Sequence, residues 1–511
     1  MSLFLLVILF FIIIYESYKY LSKKPPGTPP GIVGLPIIGV YWFLLWGDYD
    51  FPHRTLAYYT KKLKSKLISC YLGSFFTVIA NDYATIKEVS MREEFDGRIS
   101  EGFIAKKRAF DKKLGIFFTE GEQWREQRRF ALRHMRDFGF GRRQEIFEAK
   151  IMEELNIFID TLRNGPIGQD EEKILKSDMV LFPDVLYAIA GNNIWDIMFG
   201  YRFKREKHEK MRYFGREAMK FQRAADTIGG AIAFWPFLHH FGNLFSYKNI
   251  IDSSYALIDF IKEYLQRYKA EMYEQGDDYG FVGRYLNKLK EDNLSPYFSE
   301  EQLILSVIDF MFPAITAMPS VVTHAIKLTM HHPDVAKKVR DEIHTVVGTG
   351  RLVTWDDRKS LPYTEATLRE TMRYETLTPL SVFHKCTKDT TLQGYFIPAG
   401  TVMVNNLAGM DHDPDFWGDP ENFRPERFLT DDGQLNKDMS FPFGIGHRVC
   451  AGETFGRLTL FGTFACLMQN FDFLFVEGQP TGIEDKLHGL IVSPKNTWIR
   501  IKPRHTYMSY F

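Results

Sequence analysis

FGIGHRVCAG, residues 443–452, is the stretch on which the reading of this chain turns. Its glycines, Gly444, Gly446 and Gly452, permit positive φ and close backbone approach around a single cysteine. Arg448 places a cation two residues before Cys450, and a helical pattern begins at Glu453. A sulfur at the mouth of a helix lies near free backbone N–H groups and the positive end of the helix dipole, a setting that favours thiolate. A buried structural cysteine needs no such frame. A thiolate that ligates a haem iron does, because it pushes electron density onto the metal and favours O–O cleavage.

The chain around this loop has 511 residues, with 64 Lys+Arg and 64 Asp+Glu. That balance argues against a strongly basic nucleic-acid binder and against an acidic disordered tail. Apolar residues at 45% and charged residues at 25% belong to a folded globule rather than a multi-span membrane protein. No Gly/Ser-rich or Pro-rich linker interrupts mid-chain, so residues 41–511 read as one catalytic domain. Cys70, Cys386, Cys450 and Cys466 show no CxxC spacing and are too sparse for a disulfide scaffold, so they read mostly as reduced thiols.

At the N-terminal end, LFLLVILFFIII (residues 3–14) is followed by Tyr15, Tyr18 and Tyr20 and by Lys19, Lys23 and Lys24. Residues 1–22 read as a short transmembrane anchor. A cleaved signal peptide is the alternative, but no basic residue precedes the run and no small-residue cleavage pattern follows it. Positive charge after the run leaves the N-terminus lumenal and the body cytosolic. PPGTPPGIVGLPIIG, residues 25–39, has φ fixed at each proline, so residues 23–40 read as a stiff extended hinge. Residues 122–290 carry helical periodicity, while residues 67–80 and 385–404 read as strands. The apolar segment 227–245, with Phe234, Trp235, Phe237, Leu238 and Phe241, is either core or a second shallow membrane contact beside a lipophilic entrance.

The pattern F-x-x-G-x-R-x-C-x-G from Phe443 resembles the haem-binding signature of the cytochrome P450 superfamily, in particular the microsomal clan of drug- and steroid-hydroxylating enzymes. The resemblance runs from about residue 25 to GLIVSPKNTWIRIKPR, residues 489–504. It implies a mainly α fold with small β-sheets, haem b as cofactor, Cys450 as the iron ligand, and Phe443, Arg448 and Gly452 in the haem-binding loop. It also implies that Glu370 and Arg373 of TLRETMR form a buried structural network with Arg427 of PERF. By the same resemblance, Arg98 of FDGR, Trp124 and Arg128 of a WxxxR pair, His384 and Arg448 contact the haem propionates, which need cationic and hydrogen-bonding partners when buried.

One family mark is missing. The oxygen-activating helix of the family usually carries A-G-x-D/E-T-T, an acid and an alcohol that organise proton-delivering waters. Aligned through Asp309 and Ala314, IDFMFPAITAMPS puts Ile315 at the glycine, Ala317 at the acid and Met318 at the alcohol. Neither of the last two relays a proton. Thr316 lies about 200° around the helix from Met318 and is expected to bond back to its own helix. Pro319 cannot donate to the Ile315 carbonyl, at a cost of about 3 kcal/mol, which leaves an acceptor for a proton-bearing water or a substrate hydroxyl; a merely helix-shaping role is the alternative.

By resemblance, the activity is insertion of one atom of dioxygen into a lipophilic substrate (steroid, lipid hormone, fatty acid or xenobiotic). Electrons come from a NADPH-dependent reductase, with a cytochrome b-type donor as an additional partner. The pocket is expected from residues 104–116, 221–245, 307–318, 377–383 and the turn near Leu490. Arg125, Arg129, Arg133 and Arg136 are either a basic docking face for the flavoprotein or an ordinary solvated helix face. Because the acid-alcohol pair is absent, a haem-thiolate isomerase, dehydratase or peroxide-using enzyme is the second class, and a non-catalytic haem protein the third.

Overall fold

The computed structural model describes residues 3–21, 24–32, 34–35, 39–41, 47–100, 102–141, 143–225, 232–233, 235–276 and 278–504. Its principal helices are α1 (Leu3–Leu21), α2 (Gly121–Met135), α3 (Glu145–Asn164), α4 (Tyr187–Phe199), α5 (Glu209–Ala224), α6 (Tyr247–Glu271), α7 (Gly280–Lys288), α8 (Glu300–His331), α9 (Pro333–Val346), α10 (Pro362–Glu375) and α11 (Glu453–Asn470).

Two of these helices are apolar on almost every face, which is the pattern of a helix surrounded by protein. α8 starts where the Ser299 side chain accepts from the Gln302 N–H at 3.1 Å. It then runs 32 residues through the centre with both Pro313 and Pro319 inside it. α11 is buried almost continuously from Leu458 onward and packs on α8, with α3, α9 and α10 around the pair. Helices α4, α5 and α6 cover the other side of α8.

The strands form two principal four-stranded sheets. The first joins β1 (Leu67–Leu72), β2 (Phe75–Ala80), β6 (Val402–Asn405) and β5 (His384–Lys385) in the order β1-β2-β6-β5. β2 pairs in parallel with β6, and His384 lies opposite Met403, which fixes the edge position of that histidine. The second sheet has the order β3-β4-β8-β7, from β3 (Leu175–Lys176), β4 (Met179–Phe182), β7 (Phe471–Leu474) and β8 (Thr497–Pro503). β3 and β4 interrupt the stretch expected to be helical. They pair with each other as a short hairpin, and the distant strand β8 extends that hairpin into the sheet.

The N-terminal helix α1 holds its apolar residues exposed, Phe4 at 72% and Phe10 at 60%. The described part of the proline-rich segment does more than extend. It lies along β1, with Ile32 N–H donating to the Ser69 carbonyl at 3.0 Å and Ser69 N–H to the Pro30 carbonyl at 2.9 Å. In the apolar segment 227–245, Trp235 packs edge-on against Tyr41 while Phe237 and Phe241 are exposed; Phe234 lies outside the described residues.

Candidate active site

The cysteine loop closes on itself where the Cys450 N–H donates to the Phe443 carbonyl at 2.8 Å. Gly444 and Gly446 adopt the positive φ expected of them, +71° and +77°. Gly452 does not: its φ is −97°. Glycine stands there for space, since a Cβ would lie 3.1 Å from the Phe140 ring and 3.9 Å from the Cys450 sulfur. At Gly446 both reasons apply, because a Cβ would fall 1.9 Å from the Ser90 carbonyl oxygen. Gly446→Ala should therefore move the loop off the helix that carries Ser90 and cost at least about 1–3 kcal/mol. A urea midpoint and haem content equal to those of the parent would refute this.

Of the four cysteines only Cys450 is exposed. Burial is nevertheless the largest influence on its thiol and pushes its pKa up, while the Gly452 N–H and the Arg128 guanidinium pull the other way without prevailing. The sulfur is thus accessible from a recess that protein largely surrounds. The loop alone thus does not hold a thiolate as the sequence reading supposed; a coordinated cation is what deprotonates such a thiol.

The cavity has a cationic wall. Arg448 stacks over the Trp124 ring at 3.5 Å and donates to the carbonyls of Asp96 at 2.6 Å and Thr119 at 3.1 Å. Arg128, on the same side of α2 as Trp124, donates to the Val449 carbonyl at 2.5 Å. Arg98 is 6% exposed; it reaches the Phe383 carbonyl at 3.2 Å, and its Nε has no partner. The His384 Nδ1 bonds the Phe95 carbonyl at 2.8 Å. Burial holds the pKa of Arg98 down to about 10 and that of Arg448 down to about 8, with Arg98 and Arg128 further depressing Arg448 and Arg128 further depressing Arg98. His384 is depressed by burial first and then by Arg98 and Arg448. The carboxylates beside them are already engaged, Glu120 by Lys385 at 2.5 Å and Asp96 by His447 at 2.9 Å. A surplus of buried positive charge with an orphaned donor, beside an accessible sulfur, fits a haem whose two propionates would supply the counter-charge.

Behind this wall the expected network is in place. Arg373 donates to Glu370 through Nε at 2.7 Å and Nη2 at 2.8 Å, and Arg427 Nε donates to Glu370 at 3.0 Å. The Glu370 and Arg373 side chains are fully buried. Arg427 also binds the carbonyls of Asp419 and Asn422, so the segment just before the cysteine loop is tied to α10.

Along α8 the structure sorts the aligned residues by face. Pro313, Ala314 and Ala317 retain accessible surface within an otherwise buried helix and so face the cavity. Ile315, Thr316 and Met318 are buried. Ile315 packs at Gly191, and the Thr316 hydroxyl donates back to the Phe312 carbonyl at 2.7 Å while accepting from Gln222 of α5. Thr316 is thus removed from any part in the cavity, and Met318, placed by alignment at the alcohol position, points into the core.

The alignment used Asp309 only as a marker; the structure gives it a role. Buried Asp309 pairs with buried Arg108 and accepts the N–H groups of Ile116 at 2.7 Å and Phe117 at 2.9 Å. Gln302 clasps both backbone groups of Gly115. Residues 103–118 are thereby pinned over α8, with Phe117 and Phe221 both edge-on to Phe312. A lone acid in an apolar helix was the available signal; Arg108, two hundred residues away, was not visible as its partner.

The chain matches the family described as Cytochrome P450 over residues 29–500. It is 30% identical over 506 residues to the farnesoate epoxidase of Bombyx mori, covering 98% of both chains. It is 31% identical over 456 residues to cytochrome P450 2B4 of Oryctolagus cuniculus, covering 88% of each, and 30% identical to cytochrome P450 18a1 of Drosophila melanogaster, covering 96% of this chain and 88% of that one. With its cysteine loop, cationic wall and buried glutamate-arginine network, the chain belongs to the cytochrome P450 family and is a haem-thiolate monooxygenase.

Proposed function

We propose that this protein is anchored in the endoplasmic reticulum membrane, N-terminus lumenal and body cytosolic, and that it oxidises a lipophilic substrate with electrons relayed from NADPH by a flavoprotein reductase. The observation that carries the reading is the accessible sulfur of Cys450 beside the buried Arg98 and the half-buried Arg128 and Arg448. Haem b would be held by Cys450, with Arg98, Arg128, Arg448, Trp124 and His384 available to its propionates, and would supply when bound the iron at which dioxygen is activated.

The chain's own residues do the rest. Pro313, Ala314 and Ala317 offer the substrate an apolar floor, and Phe117, Phe221 and Phe312 an aromatic wall. The Arg108–Asp309 tie keeps residues 103–118 closed over that space and limits water entry. Steroids, lipid hormones, fatty acids and xenobiotics all fit such a lining; the relative named for farnesoate adds unsaturated lipid acids to the trial set. The exposed apolar face of α1 and the exposed Phe237 and Phe241 support membrane contact. Arg125, Arg129, Arg133 and Arg136 are the face offered to the reductase or a cytochrome b-type donor.

The absence of an acid at position 317 and the engagement of Thr316 favour a second reading, peroxide-dependent or isomerase chemistry that needs neither external protons nor a reductase. Turnover with NADPH and reductase supports the first reading; turnover of a hydroperoxide alone supports the second. Installing the missing pair, Ala317→Glu with Met318→Thr, should raise the product formed per NADPH consumed, since positioned general acids contribute about 10²–10⁴ in rate. Unchanged coupling and unchanged product would show that proton supply at these positions is not limiting.

A further inference from the structure

The Arg108–Asp309 pair carries more donors than a latch requires. Gln302 already holds both backbone groups of Gly115, and Asp309 holds the N–H groups of Ile116 and Phe117, so the lid is fastened to α8 through its own backbone. Arg108 adds a guanidinium with five N–H donors. Among the described residues its side chain makes one hydrogen bond, from Nη2 to Asp309. Nε is sealed off with no partner; Nη1 has no partner either, but it is not sealed. A buried donor left unmet is costly, and a lysine would close the same ion pair with fewer of them.

Arg108 reaches from the lid down to α8, so the surface its side chain keeps, 4%, lies between the two rather than outside them. Asp309, Pro313 and Ala317 follow one another at four-residue steps and share the face of α8 that floors the cavity. The guanidinium lies over the Phe118 ring at 5.0 Å, and Phe118 is edge-on to Phe117 of the aromatic wall at 4.8 Å. Gly115 makes room for the pair: a Cβ there would stand 2.2 Å from Oδ2 of Asp309 and 3.1 Å from Nη2 of Arg108.

We propose that Arg108 is the polar anchor of the substrate site, and that the group it takes is a neutral acceptor oxygen rather than a carboxylate. A ketone, ester or hydroxyl, at the end of the substrate away from the oxidised carbon, meets that description. The assignment rests on the reading above, in which a lipophilic substrate occupies this cavity, and it narrows the class.

Charge decides between the two kinds of oxygen. Arg108 and Asp309 cancel, and Asp309 has both oxygens engaged, Oδ1 by Arg108 and Oδ2 by two N–H groups. A neutral oxygen at Nη1 satisfies a donor and brings no charge. A carboxylate there would share one guanidinium with Asp309 and leave a net negative charge among Phe117, Phe118 and Phe312, its desolvation uncompensated. Two lysines of the lid are spent elsewhere, Lys107 on Asp111 at 2.7 Å and Lys112 on Glu301 at 2.5 Å.

The test titrates the full-length, haem-loaded protein and follows the substrate-type shift of its haem absorption band. The probes are 5α-androstan-3-one against 5α-androstane and 2-tridecanone against tridecane, with dodecanoic acid as the anion. In at least one carbon frame the ketone should bind about tenfold or more tighter than its hydrocarbon, the margin of one hydrogen bond to a charged donor, and dodecanoic acid should bind no better than tridecane. Asp309→Asn keeps an acceptor for the lid but releases the charge of Arg108, so dodecanoic acid should gain about tenfold or more over the parent and overtake 2-tridecanone. Arg108→Met together with Asp309→Asn strands no charge; it should bring ketone and hydrocarbon within about threefold of each other and abolish the gain for the acid. If Arg108 only latched the lid, ketone and hydrocarbon would weaken together and their ratio would hold in every variant. That result, equal affinities of ketone and hydrocarbon in both frames of the parent, or tighter binding of the acid than of 2-tridecanone by the parent would each overturn the anchor. A parent whose haem band no probe moves would sink the lipophilic-substrate reading and the anchor with it, whereas shifts indifferent to the ketone would sink the anchor alone.

Discussion

In a Cys450→Ser variant, the reduced, carbon-monoxide-bound protein is expected to lack the strongly red-shifted absorption band of a thiolate-ligated haem, and reductase-driven turnover is expected to be lost altogether. The expectation follows from the chemistry of the loop. Sulfur is a soft, polarizable donor whose anion a bound iron stabilises, whereas a serine hydroxyl ionises far less readily and gives up little electron density. Nothing else in the loop substitutes for it: His447 is bonded to Asp96 at 2.9 Å, and Arg448 has no lone pair to offer. The remaining cysteines provide the control. Cys70, Cys386 and Cys466 are buried, and Cys466 donates to the Val353 carbonyl at 3.5 Å, so serine at any of them should leave the spectrum in place. A Cys450→Ser protein that kept the band would remove the basis for every assignment around the cavity.

How much of this site could be read in advance depended on how local its determinants are. Gly444, Gly446, Arg448 and Cys450 stand within seven residues, and the demands of a tight turn around a sulfur are visible at that range. Glu370 and Arg373 share one helix face, so their pairing follows from spacing alone, while the addition of Arg427 required the family pattern. The faces of α8 were legible only in part. Spacing places Thr316 away from Met318, but that Thr316 meets Gln222, or that Ala317 rather than Met318 opens on the cavity, depends on the packing of α5 and on where the haem side of the helix lies. Arg108 and Asp309 are buried groups far apart in sequence, and nothing in either segment names its partner.

The second large effect concerns stability. Glu370→Ala should destabilise the fold by about 3–5 kcal/mol, because it leaves two buried guanidiniums, Arg373 and Arg427, without their shared carboxylate. Their remaining partners are neutral carbonyls: those of Asp411 and Pro420 for Arg373, and those of Trp417, Asp419 and Asn422 for Arg427. Arg427 keeps one carboxylate, Asp419 at 3.2 Å, but that group is partly exposed and already held by Arg424. The Arg424 backbone N–H, which donates to Glu370 at 2.9 Å, loses its acceptor as well. The defect would spread to the site, since these bonds fix the chain that leads into the cysteine loop. Haem occupancy should therefore fall along with the urea midpoint. Removing the whole charged set separates the two contributions. A Glu370→Leu, Arg373→Met, Arg427→Met triple variant strands no charge and should recover stability toward the parent while still failing to hold the loop in register. If Glu370→Ala unfolded at the parental urea concentration, the glutamate would be a passenger, and the positioning of Cys450 would have to come from the Phe443 and Ser90 contacts alone.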